Sequence, residues 1–244
     1  MNHVNCGINR NSYKFLKKKF NEIGKRKILF IGNDYQYNNY AKNIQFLHSI
    51  SKKFKNNIFG SMGNVKFNNM INYGWMNFDS EYSRKKLLDY DFLIQTSKND
   101  ANPSTILEAM SWGLIPIATK QCGYHNEEGI INIPLNRVND TVKIIKKLLH
   151  INPNNLFHIQ KINIKALNER YNWKIYRDTI KKIVLSPNKK KRNYNNYYLN
   201  KKQKNLFNKY EKNSPNYYLK INMILILIKA NISLFIKKIF RISV

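Results

Sequence analysis

Short apolar runs alternate along this chain with stretches in which apolar residues recur every three or four positions. Lys27 to Gly32, Phe92 to Ser97 and Leu114 to Thr119 are compact apolar runs of the kind that form buried strands. Between and after them, Ile44, Leu47, Ile50 and Phe54 recur at helical spacing, as do Val138, Val142, Ile145 and Leu149. Trp173, Tyr176, Ile180 and Ile183 repeat the pattern, and all three stripes read as core faces. Strands alternating with amphipathic helices predict βαβ units, hence an α/β Rossmann-like parallel sheet with helices on both faces. The strands at 27–31, 92–96 and 114–118 are expected to be parallel neighbours. Their C-terminal ends should meet the helix that opens near Pro103, because ligands in open α/β sheets bind at those ends. Pro116 inside a central strand runs against the general confinement of proline to sheet edges and strand starts.

The stretch with the clearest chemistry is 100–119, Asp-Ala-Asn-Pro-Ser-Thr-Ile-Leu-Glu-Ala-Met-Ser-Trp-Gly-Leu-Ile-Pro-Ile-Ala-Thr. Asn102 is a favourable N-cap residue and Pro103 suits the first helical position, where its missing N–H costs nothing. The N–H groups of Ser104, Thr105 and Ile106 would then point out of the helix end and, with the macrodipole, suit a phosphate. Glu108 falls five residues after Pro103, about 7.5 Å further along the axis, where it can accept from hydroxyls of the same ligand. Leu-Glu-Ala-Met also reads as an ordinary run of good helix formers, so the motif alone is weak.

With its surroundings, this stretch resembles the nucleotide-sugar site of glycosyltransferase family 4, a group of GT-B-fold enzymes that retain anomeric configuration. That family shows two acidic residues separated by seven others, then Ala-Met and Gly-x-Pro-Val-Ile. Asp100 and Glu108 have the spacing and are followed by Ala109, Met110, Gly113, Pro116 and Ile117; Asp100 departs from the usual Glu by one methylene. The family's first strand ends in Gly-Arg or Gly-Asn, here Gly32-Asn33, and a lysine contacts the diphosphate, for which Lys42 is the candidate; the usual arginine is missing. Ile71 to Trp75 resembles the short strand before the nucleobase loop, which implies that role for Trp75 and Met76. Tyr171-Asn-Trp173 resembles the opening of the closing helix, and Val4 to Ile8 the interdomain linker.

The resemblance implies a donor-binding second domain without the acceptor-binding first one. The expected organisation is a linker-like segment at 1–24, the donor domain at 25–184, a basic low-complexity segment at 185–220 and an amphipathic helix at 221–244. The implied reaction moves a sugar from a nucleotide-diphosphate sugar to a saccharide or lipid-linked acceptor. Lys42, Asp100 and Glu108 would carry it, with Gly32, Asn33, Met76, Pro103, Ser104, Thr105 and Ile106 holding the donor. No cofactor or divalent metal is expected. A separate first-domain polypeptide is an expected partner, and an inactive or split subunit is the alternative within the fold.

Composition adds bounds. Lys plus Arg is 43 against 14 acidic residues, a formal charge of +29, which favours anionic partners. The abundance of Lys, Asn, Ile and Tyr fits an AT-rich coding sequence, which accounts for most of that charge. Two cysteines, Cys6 and Cys122, make no metal site and suit a reducing compartment, and the polar opening residues show no signal peptide. A cytoplasmic protein is therefore expected. The Asn/Lys/Tyr segment from Tyr194 to Tyr218 has the composition of disorder. Its basic and aromatic mixture also suits single-stranded nucleic acid, which makes a basic nucleic-acid-binding protein the alternative from another class, though not the expected one. In the last segment Lys229, Ser233, Lys237 and Arg241 form a polar face opposite Ile232, Phe235, Ile236, Ile239 and Phe240. That pattern suits a helix lying on an anionic membrane surface or one docked on the protein's own core.

Overall fold

In the computed structural model, the described residues are 7–8, 15–33, 41–55, 57–100 and 102–185. The expectations for the tail beyond residue 185, and for Cys6 and Val4, lie outside them. Six strands form one parallel sheet: β1 (Ile28–Ile31), β2 (Phe59–Met62), β3 (Ile71–Asn72), β4 (Phe92–Gln95), β5 (Ile115–Thr119) and β6 (Ile131–Ile133). Their order is β3-β2-β1-β4-β5-β6. Six helices connect or follow them: α1 (Ile44–Ser51), α2 (Glu81–Leu88), α3 (Ser104–Trp112), α4 (Val138–Leu149), α5 (Pro153–Arg170) and α6 (Trp173–Leu185). The expected parallel neighbours are adjacent, with Ile28 opposite Phe92 and Phe92 opposite Ile115.

The strands are buried on both faces, which explains why they read as continuous apolar runs. Side chains alternate between two cores. Leu29, Ile31 and Leu93 pack with Ile106, Met110 and Leu167 of α3 and α5. Ile28, Phe30, Phe92 and Ile117 pack on the other face with Leu47, Ile50 and Ile145 of α1 and α4. Pro116 is tolerated for a simple reason. Ile115 N–H donates towards β4, to Asp91 O at 3.0 Å, so position 116 faces β6, and β6 pairs only from Ile117 onward. No ladder donor is needed where the proline sits.

β2 reads Phe-Gly-Ser-Met and escaped the apolar pattern because its polar and small residues are used by neighbours. A Cβ on Gly60 would fall 1.9 Å from the Tyr90 hydroxyl. Buried Ser61 donates to Asn72 Oδ1 at 2.8 Å. Residues 15–24, linker-like in sequence, are packed in part: Phe20 is buried edge-on against Phe157, and Lys17 N–H donates to Trp112 O at 2.8 Å. Of the third predicted core stripe, Trp173 and Ile180 of α6 are 48% and 36% exposed and Tyr176 is half-buried, while Gly7 approaches the Trp173 backbone at the helix start. Among the described residues no helix is long and apolar enough to cross a membrane.

Candidate functional site

Strand order reverses between β1 and β4, so the crevice beyond their C-terminal ends is the sheet's switch point. A cleft of about 310 Å³ opens there, lined by Ile31, Gly32 and Asn33 after β1, Met62 and Gly63 after β2, Lys42, Thr105 of α3, and Trp75, Met76 and Phe78. Two glycines make its floor. Gly32 N–H donates to Met62 O at 3.0 Å, and Gly63 N–H to Gly74 O at 2.7 Å. Gly63 has φ +125°, and a Cβ on it would fall 2.0 Å from Gly32 O. The backbone is therefore bare and close-packed where a ligand would approach. Asn33 Oδ1 accepts from the Asn64 N–H at 3.2 Å and ties the two turns together.

The helix start differs from its expected form. Asn102 has φ +58° and does not cap α3; its N–H donates to Cys122 O at 2.9 Å. Pro103, with ψ 126°, occupies the cap position instead, and Ser104 is the first helical residue. Two things hold Asn102 at its positive φ: a proline keeps the preceding residue out of the right-handed helical region while asparagine tolerates the left-handed one, and the Cys122 carbonyl, twenty residues on, accepts the Asn102 N–H. Ile106 N–H donates to Pro103 O at 3.1 Å and its side chain is fully buried, so it turns nothing outward. The N–H groups of Ser104 and Thr105 are the ones left at the helix end for an anion.

Behind that end lies Gln95, fully buried at the last position of β4. Its Nε2 donates to Ile31 O at 3.0 Å and to Thr105 Oγ1 at 2.9 Å, while its Oε1 is buried without a partner. An unsatisfied buried acceptor costs about 1–3 kcal/mol.

Lys42 and Asp100 are brought together. The ammonium lies 3.2 Å from Asp100 Oδ2, both side chains being mostly buried, and Thr96 Oγ1 fixes the lysine's backbone by donating to Lys42 O at 3.1 Å. Glu108, one turn into α3, is not in the cleft lining. Burial pushes its carboxyl above the usual glutamate range, against the opposing effect of a hydrogen bond from Ser104. Met76 lines the cleft beside Trp75, whose indole is 74% exposed at its mouth rather than in the core. Gly63, Phe78 and Gln95 were not anticipated. Gly63 does follow a strand as Gly32 does, but Gly-Ser-Met is too polar to announce one.

Glu127, by contrast, is committed to structure: Tyr171 Oη donates to it at 2.6 Å and Arg170 pairs with it. Among the described residues no cluster of His, Cys, Asp or Glu is arranged to hold a metal ion.

No protein-family model and no curated protein matches the chain. Solved structures do. The lipopolysaccharide outer core galactosyltransferase WaaB superposes with a TM-score of 0.53 at 15% identity, over 73% of this chain and 54% of that one. Sucrose-phosphate synthase from Thermosynechococcus elongatus gives 0.57 at 14% identity, over 74% and 51%. Anabaena HepE in complex with UDP and glucose gives 0.53 at 12% identity, over 75% and 56%. The fold is that of a GT-B glycosyltransferase domain. The chain spans about half the length of the solved structures it matches.

Proposed function

We propose that this GT-B domain binds the donor of a retaining, family 4-type hexosyltransferase. In this reading it holds a nucleotide-diphosphate sugar in the cleft for transfer to a saccharide or lipid-linked acceptor. The observation that carries the reading is the convergence, at the switch point, of a bare two-glycine floor, a lysine and an open helix start. In this arrangement the diphosphate lies against the Ser104 and Thr105 N–H groups and the Lys42 ammonium, which stabilise charge developing on the leaving group. Gly32, Asn33 and Gly63 give it room, and the base rests on Trp75 and Met76. Glu108 accepts from the ribose hydroxyls and Asp100 from the donor sugar. Donor entry replaces the Lys42–Asp100 pair, each partner passing to a ligand group of matching polarity. No metal takes part. HepE, similar in fold, was captured with UDP and glucose, which supports this class of ligand. A first GT-B domain supplies acceptor contacts, and the reaction is cytoplasmic, at an anionic membrane surface.

The chain alone is expected to bind a nucleoside diphosphate by calorimetric titration and to transfer no sugar; efficient transfer by the isolated chain removes the need for a partner. Glu108→Gln removes a charge-assisted bond worth about 1.5–3 kcal/mol, so affinity should fall roughly ten- to a hundredfold. Exposed Glu128→Gln should leave it unchanged. Because the Glu108 carboxyl sits above its usual range, acidification should weaken binding at a higher pH than an exposed glutamate would dictate. The Gln variant should lose that component of the pH dependence. Parent-like binding by Glu108→Gln with every base tested would remove the ribose role.

A further inference from the structure

We propose that Gln95 is a positioning residue that polarises the Thr105 hydroxyl into a donor for a phosphate oxygen in the cleft. The inference rests on the nucleotide-diphosphate reading of that site. Ile31 O is a main-chain carbonyl and only accepts, so the amide nitrogen of Gln95, not its oxygen, must face it. The side chain is thereby fixed, and the second hydrogen of the same nitrogen goes to Thr105 Oγ1. With an acceptor site of that hydroxyl taken from behind, its own hydrogen is left to donate, and Thr105 is one of the residues lining the cleft.

A leucine or methionine would fill the same fully buried space without orphaning Oε1, but would leave the Ile31 carbonyl without the donor the amide supplies. The amide instead links the end of β1, where the bare Gly32 turn begins, to the second residue of α3, where the helix N–H groups emerge. One side chain thus fixes the gap between the two elements that would grip the diphosphate from opposite sides. It also sets the polarity of the hydroxyl between them.

The test measures binding of a nucleoside diphosphate and of the corresponding phosphate-free nucleoside by the full chain and its variants. Gln95→Met should weaken nucleoside diphosphate binding about tenfold, the loss expected for one hydrogen bond to a charged group, and leave nucleoside binding unchanged. Thr105→Val should show the same selective loss, and Thr105→Ser should keep parent affinity. Gln95→Met added to Thr105→Val should cost nothing further, because the first acts through the second. Should Gln95→Met fail to fold, the half-buried Thr105 substitutions still decide whether the hydroxyl donates. Parent-like diphosphate affinity in Thr105→Val, or an equal loss for nucleoside and diphosphate in Gln95→Met, overturns the proposal. If the parent binds no nucleoside diphosphate, the donor-site reading fails and this proposal with it. If the parent binds and the variants behave like it, only this proposal fails.

Discussion

Asp91→Ala should lower the stability of the sheet-bearing unit by about 3–5 kcal/mol, the range for removing one partner of a buried ion pair. Asp91 is fully buried one residue before β4, and Lys17 Nζ lies 3.5 Å from its Oδ1 with only 3% of that side chain exposed. The carboxylate also accepts from Asn21 N–H and Nδ2, both at 2.8 Å, and from Lys27 N–H at 3.1 Å. A second buried cation depends on it. Arg26 is 1% exposed, and the attraction of Asp91 opposes the downward pull of burial on its guanidinium. Removing Asp91 therefore takes the counter-ion from Lys17, weakens the field that favours the Arg26 charge, and takes an acceptor from Asn21 and Lys27. The sign of the pH response follows. Burial already holds Lys17 below the usual lysine range, and loss of Asp91 lowers it further. The unfolded chain then binds more protons than the native one between the two pKa values, so the variant should gain stability as pH rises through that window. Urea unfolding at several pH values measures both effects; a loss under 1 kcal/mol would mean that the pair is compensated elsewhere.

Gly63→Ala should cost about 2–3 kcal/mol and abolish ligand binding in the cleft. The φ of +125° alone is strained for any L side chain, a cost of about 1–3 kcal/mol. The new methyl would in addition lie 2.0 Å from Gly32 O, a backbone atom of the residue whose N–H donates to Met62 O, so the β1 and β2 turns must separate. Gly24→Ala is the matched control. It too has positive φ, +83°, but nothing stands within 4 Å of its Cβ, so it should show backbone strain of about 1–2 kcal/mol and normal binding. Equal behaviour of the two variants in calorimetric titration would mean the turn contact does not shape the cleft.

The three central strands and the helices facing them were legible in the sequence because they are buried from both sides, and burial leaves a run of apolar residues. Their boundaries differ by a single residue, from 92–96 to Phe92–Gln95 for instance, and they are adjacent in the sheet, β1 beside β4 and β4 beside β5. Thr105 and Glu108 could be singled out from the Pro103 signal, a local property of the chain, whereas Lys42 and Asp100 stood out only through the resemblance to glycosyltransferase family 4. What the sequence could not decide depends on residues far apart. β2 is hidden because Gly60 is small to admit Tyr90, thirty residues on, and Ser61 is polar because Asn72 Oδ1 accepts its hydrogen bond. The true helix cap is hidden because Asn102 is held by the Cys122 carbonyl and the ring of Pro103, not by its own capping preference. Trp173 and Ile180 carry a core-like period yet stand open, since periodicity states which side chains share a face and not whether anything covers it. The Lys42–Asp100 pair, the Gly32–Gly63 contact and the Gln95 bridge exist only once β1, β2, β4 and α3 are assembled. Hydrophobic pattern determined the three strands β1, β4 and β5; contacts between distant residues decided β2 and the chemistry at the strands' C-terminal ends.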